Sequence, residues 1–153
     1  MERRITEEKV TKAIINWLAL NDWEIICFDF PQSGTGVSLH LNQTLRTTKN
    51  KGTFIPDIVA IKSGIVVFFE NKDRFVLTDF IKVQYLKETN DYETAIKNLL
   101  KDFEYSQIYY GVGLIFTDKN QIKVNQHLDK VDFVVYYHAD TEINAVNDIN
   151  KIF

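Results

Sequence analysis

The stretch TFIPDIVAIKSGIVVFFENKDRF, residues 53–75, predicts two buried β-strands joined by a tight turn. Residues 54–61 and 65–71 are almost continuously apolar and are separated by a short Lys-Ser-Gly connection, which is typical of a hairpin in a sheet covered on both faces. The first strand nevertheless carries Asp57, and the second ends in Glu70 and Lys72. Charges beside an apolar strand interior are costly unless they are paired or hold a metal. These three residues therefore need a specific role.

The alternation of side chains along a strand predicts that Glu70 and Lys72 lie on one face. Hairpin pairing would bring Asp57 within a few ångströms of Glu70. Two neighbouring carboxylates repel each other, and a divalent cation between them relieves that repulsion. Oxygen ligands without His or Cys favour Mg²⁺ over Zn²⁺. An ammonium group at Lys72 can position a metal-bound water or stabilise charge on a phosphate oxygen, so the pattern indicates metal-assisted phosphodiester hydrolysis.

The pair Pro56-Asp57 followed by Glu70-Asn71-Lys72 resembles the PD-(D/E)XK nuclease superfamily, which includes type II restriction endonucleases, Holliday-junction resolvases and repair nucleases. The resemblance implies a restriction-endonuclease-like αβββαβ core, with a mixed β-sheet flanked by helices. It also implies that Asp57 and Glu70 bind Mg²⁺, for which Mn²⁺ can substitute, and that Lys72 is the catalytic lysine. Asn71 departs from the family pattern, in which this position is often apolar.

The family often adds an acidic residue from the first helix. Thr6 followed by two acids predicts the start of a helix that runs to about residue 21. Glu7 lies near the centre of the apolar stripe of this helix and Glu8 points away, so we expect Glu7 to join the catalytic and metal-binding set, with Glu8 as the alternative. The family sometimes places a Gln on the helix after the lysine, and Gln84 is the candidate for that supporting role.

The order of predicted elements along the chain is α β, a loop, then β β α α β β α. The remaining strands are expected at residues 23–30, 108–116 and 131–137. Thr78 is expected to cap a second helix, a third follows at residues 92–103, and a short helix at 142–152 ends the chain. No repeat or linker divides the sequence, so we expect one nuclease domain over residues 1–153, of the α/β class.

The loop at residues 31–52 is polar and is the predicted DNA contact. Its second half, residues 40–52, contains basic residues and no acid, and its amide, hydroxyl and guanidinium groups suit phosphates and base edges. A polar surface loop without a binding role is the alternative. The residues predicted to contact DNA are Ser33, Gly34, Thr35, His40, Asn42, Gln43, Arg46, Lys49, Lys51 and, after the second strand of the hairpin, Arg74.

The composition of the chain narrows the classes of protein to which it can belong. The 153 residues are 45% hydrophobic and 25% charged, as in an ordinary globular domain, and a formal net charge of −3 argues against binding nucleic acid through overall charge. The single Cys27 lies in an apolar run and reads as a buried hydrophobe. The charged N-terminus and short apolar runs predict a cytoplasmic protein with no membrane association and no organic cofactor.

Three functions remain open from the sequence. A Mg²⁺-dependent endonuclease of the restriction type is favoured, because the long polar insertion offers room for base readout, with a resolvase or repair nuclease as the alternative. A non-catalytic DNA-binding module could keep the same fold, and an unrelated α/β domain could use these charges as a salt bridge. With one site per small chain, cutting both DNA strands would need a dimer or two encounters, and we expect a homodimer because closed two-fold symmetry is the common solution.

Overall fold

The order of elements follows the sequence closely through the first two thirds of the chain. The structure, a computed structural model, describes residues 6–30, 35–42, 53–148 and 150–153. Its helices and strands are α1 (Glu7–Leu20), β1 (Glu24–Phe28), β2 (Ile58–Lys62), β3 (Ile65–Lys72), α2 (Leu77–Glu88), α3 (Glu93–Leu99), β4 (Gln107–Ile115), α4 (Asp118–Asn125), β5 (Phe133–Ala139) and β6 (Glu142–Val146).

Six strands form one mixed sheet in the order β1-β2-β3-β4-β5-β6. β2 is antiparallel to both of its neighbours, β1 and β3. Strands β3, β4 and β5 are parallel, and β6 returns antiparallel to β5. The expected hairpin is confirmed, because Ile58 pairs with Phe69 and Lys62 with Ile65. Gly64 makes its turn with a φ of +80°, which glycine adopts without steric cost. The α/β class with helices flanking a mixed sheet is therefore confirmed.

Helix α1 covers one face of the sheet. The Thr6 hydroxyl accepts a hydrogen bond from the Lys9 N–H at 3.3 Å, which confirms the predicted start of the helix. The apolar face of α1 packs on side chains from the central strands, including Val67 and Phe69 of β3. Burying these side chains provides most of the free energy that holds the helix in place.

The other helices lie on the opposite face. Val66 and Phe68 of β3 pack in one cluster with residues of α2 and α3, and the neighbouring side chains of β4 and β5 pack against α2 and α4. Alternate residues of β3 thus enter the cores on the two faces, as the near-continuous apolar run predicted. At the carboxyl end of β3, the same alternation places Asn71 on the α1 face of the sheet and Glu70 on the α2 face.

Two predictions about helices are wrong, and one helix was not predicted. The cap residue of α2 is Val76, without a side-chain hydrogen bond, rather than Thr78. Residues 142–152 do not form a helix, because 142–146 pair with β5 as β6 and place Ile143 and Ala145 against the core. Helix α4 was not predicted. It buries only Asn120 and Val124, which leaves too little apolar periodicity to detect.

The polar insertion at residues 31–52 is described only at 35–42. There Leu39 pairs with Phe54 in an isolated antiparallel bridge, and both side chains are buried. The predicted contacts at Ser33, Gly34, Gln43, Arg46, Lys49 and Lys51 lie outside the described residues.

Candidate active site

Asp57 and Glu70 lie opposite each other at one end of the hairpin. Asp57 comes one residue before Ile58, which pairs with Phe69, and its N–H donates to the Phe69 carbonyl at 3.0 Å. Asp57 is 7% exposed and Glu70 is 8% exposed. The structure thus brings the two predicted acids together in a buried position, at the carboxyl end of parallel strand β3, which is the usual place for ligand sites in such sheets.

Asn71 links this pair to α1. Its backbone N–H donates to Oδ2 of Asp57 at 2.6 Å, and its side-chain amide donates to the Thr11 hydroxyl at 3.2 Å. The residue is fully buried on the face opposite Glu70, as the strand alternation predicted. Gly113 of β4 makes room for it, since a Cβ there would lie 2.4 Å from Oδ1 of Asn71 and 2.5 Å from Cδ1 of Ile14. An apolar residue at position 71 would remove the link to Thr11.

Burial dominates the titration of both acids. It raises the pKa of Asp57 to about 7, although the hydrogen bond from Asn71 acts in the opposite direction and Glu7 adds to the increase. Burial raises the pKa of Glu70 to about 9, with further contributions from the charges of Asp57 and Asp79. Two carboxylates that resist ionisation in the same place are the arrangement that a bound cation would relieve.

The donor atoms suit a hard divalent cation. Oε2 of Glu70 is buried and has no hydrogen-bond partner among the described residues. In that part of the chain, no group of three or more His, Cys, Asp and Glu side chains is arranged to hold a metal, so the structure does not bring Glu7 together with Asp57 and Glu70 as a third ligand. Magnesium is commonly held by one or two carboxylates, with water and substrate phosphate completing its shell. These residues therefore fit Mg²⁺.

Lys72 reaches Glu7 at the start of α1. The Lys72 ammonium donates to Oε2 of Glu7 at 3.4 Å, and the two side chains are 31% and 29% exposed. Burial alone lowers the pKa of Lys72, but the negative charges of Asp79 and Glu7 outweigh it and raise the pKa above its usual value. Glu8 pairs instead with Lys12 at 3.1 Å on the exposed side of the helix. The structure thus places Glu7, not Glu8, beside the predicted lysine.

Asp79 was missed by the sequence reasoning. It lies in the first turn of α2, is 6% exposed, and lines a small crevice with Glu70, Lys72 and Arg74. Burial raises its pKa, and the charges of Lys72 and Lys82 lower it. The sequence did carry a signal, because Asp79 shares the i, i+4, i+7 stripe of α2 with the buried Val83 and Leu86. An acid on an apolar helix stripe is a candidate functional residue.

The remaining predicted residues are placed as follows. Arg74 lies at the crevice, 64% exposed in its side chain, and donates to Asp73 at 2.9 Å. The Thr35 hydroxyl donates to the Phe28 carbonyl at 2.7 Å, and a ring nitrogen of His40 lies 3.2 Å from the Thr53 hydroxyl. Asn42 donates to the Asn90 carbonyl and accepts from the Thr94 N–H, so its amide joins the insertion to the α2–α3 connection.

Gln84 lies on α2, five residues beyond Asp79. Its side-chain amide contacts Oε1 of Glu88 at 3.4 Å, one turn further along the helix. Asp79 rather than Gln84 is the α2 residue that the structure brings to the crevice beside Lys72.

Comparisons with known proteins assign no family to this chain. A scan against protein-family models finds no match, and searches of curated proteins and of solved structures find none either. Among the described residues, every helix is too short or too polar to cross a membrane.

Proposed function

We propose that this chain is a Mg²⁺-dependent endodeoxyribonuclease that hydrolyses phosphodiester bonds, similar to the PD-(D/E)XK nucleases. The observation that carries the proposal is the buried pairing of Asp57 with Glu70, two residues before Lys72 on the same strand. Neither a surface salt bridge nor a stable core requires two unrelieved carboxylates in one place.

The element order supports a restriction-endonuclease-like core. One helix precedes three antiparallel strands, then helices on the other face lead to a strand parallel to β3. This order resembles the αβββαβ pattern of that fold, with two helices rather than one between β3 and β4, and the acidic pair would then lie in the hairpin that carries the motif in those nucleases.

Each residue has a distinct role in the proposed reaction. Asp57 and Glu70 would hold Mg²⁺ or Mn²⁺, and Glu7 would act from α1 through its ion pair with Lys72. The cation would supply Lewis acidity and a water of lowered pKa. The Lys72 ammonium would orient the attacking water or stabilise the negative charge that develops on a phosphate oxygen. Asn71 fixes the Asp57 carboxylate by its backbone N–H, so the ligand is preorganised before substrate arrives.

DNA is the proposed substrate, and the insertion at residues 31–52 with Arg74 is the proposed contact surface. A restriction-type endonuclease is preferred, because this insertion supplies many groups for base readout. A resolvase or repair nuclease of the same fold would use it for DNA shape. We propose a cytoplasmic homodimer, since two sites related by two-fold symmetry cut two strands in one encounter.

Cleavage assays test the proposal. The purified chain would be incubated with supercoiled plasmid, genomic DNA and a four-way junction, in Mg²⁺ and in EDTA, beside Asp57→Ala and Lys72→Ala. The matched controls are Asp102→Ala and Lys101→Ala, which remove the same residue types from the exposed turn after α3. We expect cutting that requires metal, is lost in the first two variants and is retained in the controls. Discrete bands, a smear or a resolved junction would distinguish the subclasses.

The alternatives predict different outcomes. A folded protein that cuts nothing, yet binds DNA equally well in all variants, would be a non-catalytic DNA-binding module. Weak Mg²⁺ binding that survives Asp57→Ala, without DNA binding, would favour an unrelated domain in which Lys72 and Glu7 form a structural ion pair. Light scattering that finds only a monomer on DNA would remove the homodimer.

A further inference from the structure

Asp79 is buried more deeply than its position in the first turn of α2 requires. Helix α2 begins after Val76, and no side-chain hydrogen bond caps it, so the Asp79 carboxylate does not serve as the cap. The residue is 94% buried, the complement of its 6% exposure, and its Oδ2 accepts no hydrogen bond within the described ranges. A buried carboxylate oxygen without a partner is costly, and its retention needs an explanation beyond helix stability.

The surroundings of Asp79 supply that explanation. It faces a crevice that it shares with Glu70, Lys72 and Arg74, while its own helix contributes the cation Lys82. The carboxylate of Asp79 and the ammonium of Lys72 carry opposite charges and line the same small crevice. Lys72 and Asp79 are not in direct ion-pair contact. Their interaction is therefore electrostatic attraction across a crevice with little solvent.

Two acids thus flank the Lys72 ammonium from different helices. Glu7 begins α1, which covers one face of the sheet, and Asp79 lies in the first turn of α2 on the other face. A lysine side chain has four rotatable bonds and no fixed geometry at its ammonium, so a single partner leaves it free to swing. Attraction toward two acids on different helices restricts such a side chain more than attraction toward one.

We infer that Asp79 is a positioning residue for Lys72, holding its ammonium beside Glu70 together with Glu7. The placement of Lys72 is independent of the reaction, while its catalytic consequence rests on the proposed nuclease function. In that reaction, the lysine must be placed within a fraction of an ångström of the water or phosphate oxygen. Asp79 acts through Lys72 and does not contact the substrate.

The first test measures the position of Lys72 without any assay of cleavage. Nitrogen-15 relaxation of the lysine ammonium groups reports how far each is restrained, and Lys72→Arg assigns its signal. We expect Lys72 to be more ordered than the exposed Lys101, and Asp79→Asn to bring it toward the Lys101 value. Asp118→Asn, the same change in the first turn of α4, is the matched control and leaves Lys72 unchanged.

The second test measures the catalytic consequence. Under single-turnover conditions with metal, Asp79→Asn should slow cleavage about tenfold or more without changing DNA affinity. In the Lys72→Ala background, the same substitution should have no further effect, because the two residues act as one unit. Asp79→Ser serves the same comparison if Asp79→Asn does not fold.

The outcomes separate the two proposals. Loss of Lys72 order in Asp79→Asn supports the positioning role even if no DNA is cut, in which case only the nuclease proposal fails. An unchanged order parameter for Lys72, or a cleavage defect that adds fully to that of Lys72→Ala, would overturn the role of Asp79 while leaving a nuclease intact.

Discussion

Asn120 and Glu70 are both buried polar residues on the α2 side of the sheet, but their surroundings differ. Asn120 is 7% exposed and uses its hydrogen-bonding groups: its N–H donates to the Thr117 hydroxyl, its side-chain amide to the Ile115 carbonyl, and its Oδ1 accepts from the Phe75 N–H. Glu70 is 8% exposed, and its Oε2 has no partner in the described part of the chain.

The contrast distinguishes a polar residue that stabilises the fold, Asn120, from one whose burial does not, Glu70. Asn120 joins the start of α4 to the segment after β3, and satisfied hydrogen bonds of this kind add stability. Glu70 and its neighbours cost stability in the absence of a ligand, because their charges are desolvated and close together. Buried carboxylates that lower stability are typical of functional sites, so this contrast supports the proposed cation site at Asp57 and Glu70.

The largest expected effect is on the pH dependence of stability. The folded pKa values of Asp57 and Glu70 lie above their ordinary values of 3.8 and 4.5. At any pH between the ordinary and the raised pKa of one of these residues, the folded state therefore binds more protons than the unfolded state. In metal-free buffer, unfolding free energy should therefore fall with rising pH by about 1.4 kcal/mol per unit for each retained proton. This loss ends near pH 7 for Asp57 and near pH 9 for Glu70.

Urea denaturation at a series of pH values between 5 and 10 measures this effect, because this range includes the folded-state titrations of both Asp57 and Glu70. Glu70→Gln should flatten the profile, because an amide does not ionise, whereas Asn120→Ala should shift it without changing its slope. Parallel profiles for wild type and Glu70→Gln would contradict the raised pKa of Glu70.

Asn120→Ala should produce the next largest effect. The substitution leaves the Phe75 N–H and the Ile115 carbonyl without their partner, which should cost about 2 kcal/mol of unfolding free energy. Urea denaturation at pH 6 measures it, and Asn125→Ala, at the exposed end of the same helix, is the control. Equal losses of unfolding free energy in Asn120→Ala and Asn125→Ala would show that the hydrogen bonds of Asn120 add no stability, which would contradict the contrast drawn with Glu70.

Magnesium should stabilise the protein by a smaller amount. A ligand that binds only the folded state at ten times its dissociation constant adds about 1.4 kcal/mol. Thermal unfolding at pH 8, with increasing Mg²⁺ and constant ionic strength, should therefore show a rising midpoint for wild type and none for Asp57→Ala. Both proteins are first freed of bound metal with a chelator. An equal rise of the unfolding midpoint in wild type and Asp57→Ala would show that the cation binds at a site other than Asp57.

The smallest effect is expected at the two acids that open α1. Glu8 pairs with Lys12 on the exposed side, so Glu8→Gln should change unfolding free energy by less than about 0.5 kcal/mol and leave cleavage unchanged. Glu7→Gln should also change stability little, yet reduce cleavage, because it removes the partner of Lys72. Equal cleavage by the two variants would contradict the choice of Glu7.

Local patterns were sufficient to predict the elements that surround the acidic pair. The hairpin was predictable because two β-branched and aromatic runs flank a short turn, and its register then brings Asp57 to Glu70. Helix α1 was predictable from its cap and apolar stripe. Glu7 followed from helical geometry, since one residue of difference moves a side chain to another face.

The failures occur where tertiary contacts decide the outcome. Residues 142–152 carry apolar side chains at spacings compatible with a helix, but pairing with β5 makes 142–146 a strand. Asp79 resembles an ordinary first-turn acid, and only the packing of α2 on β4 shows that it is buried. The helical stripe that Asp79 shares with Val83 and Leu86 marks it as a candidate, but whether a single polar residue is buried depends on the whole fold.

The hydrogen bond from the Asn71 amide to Asp57 makes one backbone proton a spectroscopic reporter. At 2.6 Å from a carboxylate oxygen, this proton should resonate far downfield of other β-strand amides while Asp57 is ionised. In metal-free protein, its chemical shift should follow the Asp57 titration near pH 7, and a bound cation should hold it at the ionised value. A single NMR signal would thereby record the charge state of the site, without substrate and without turnover.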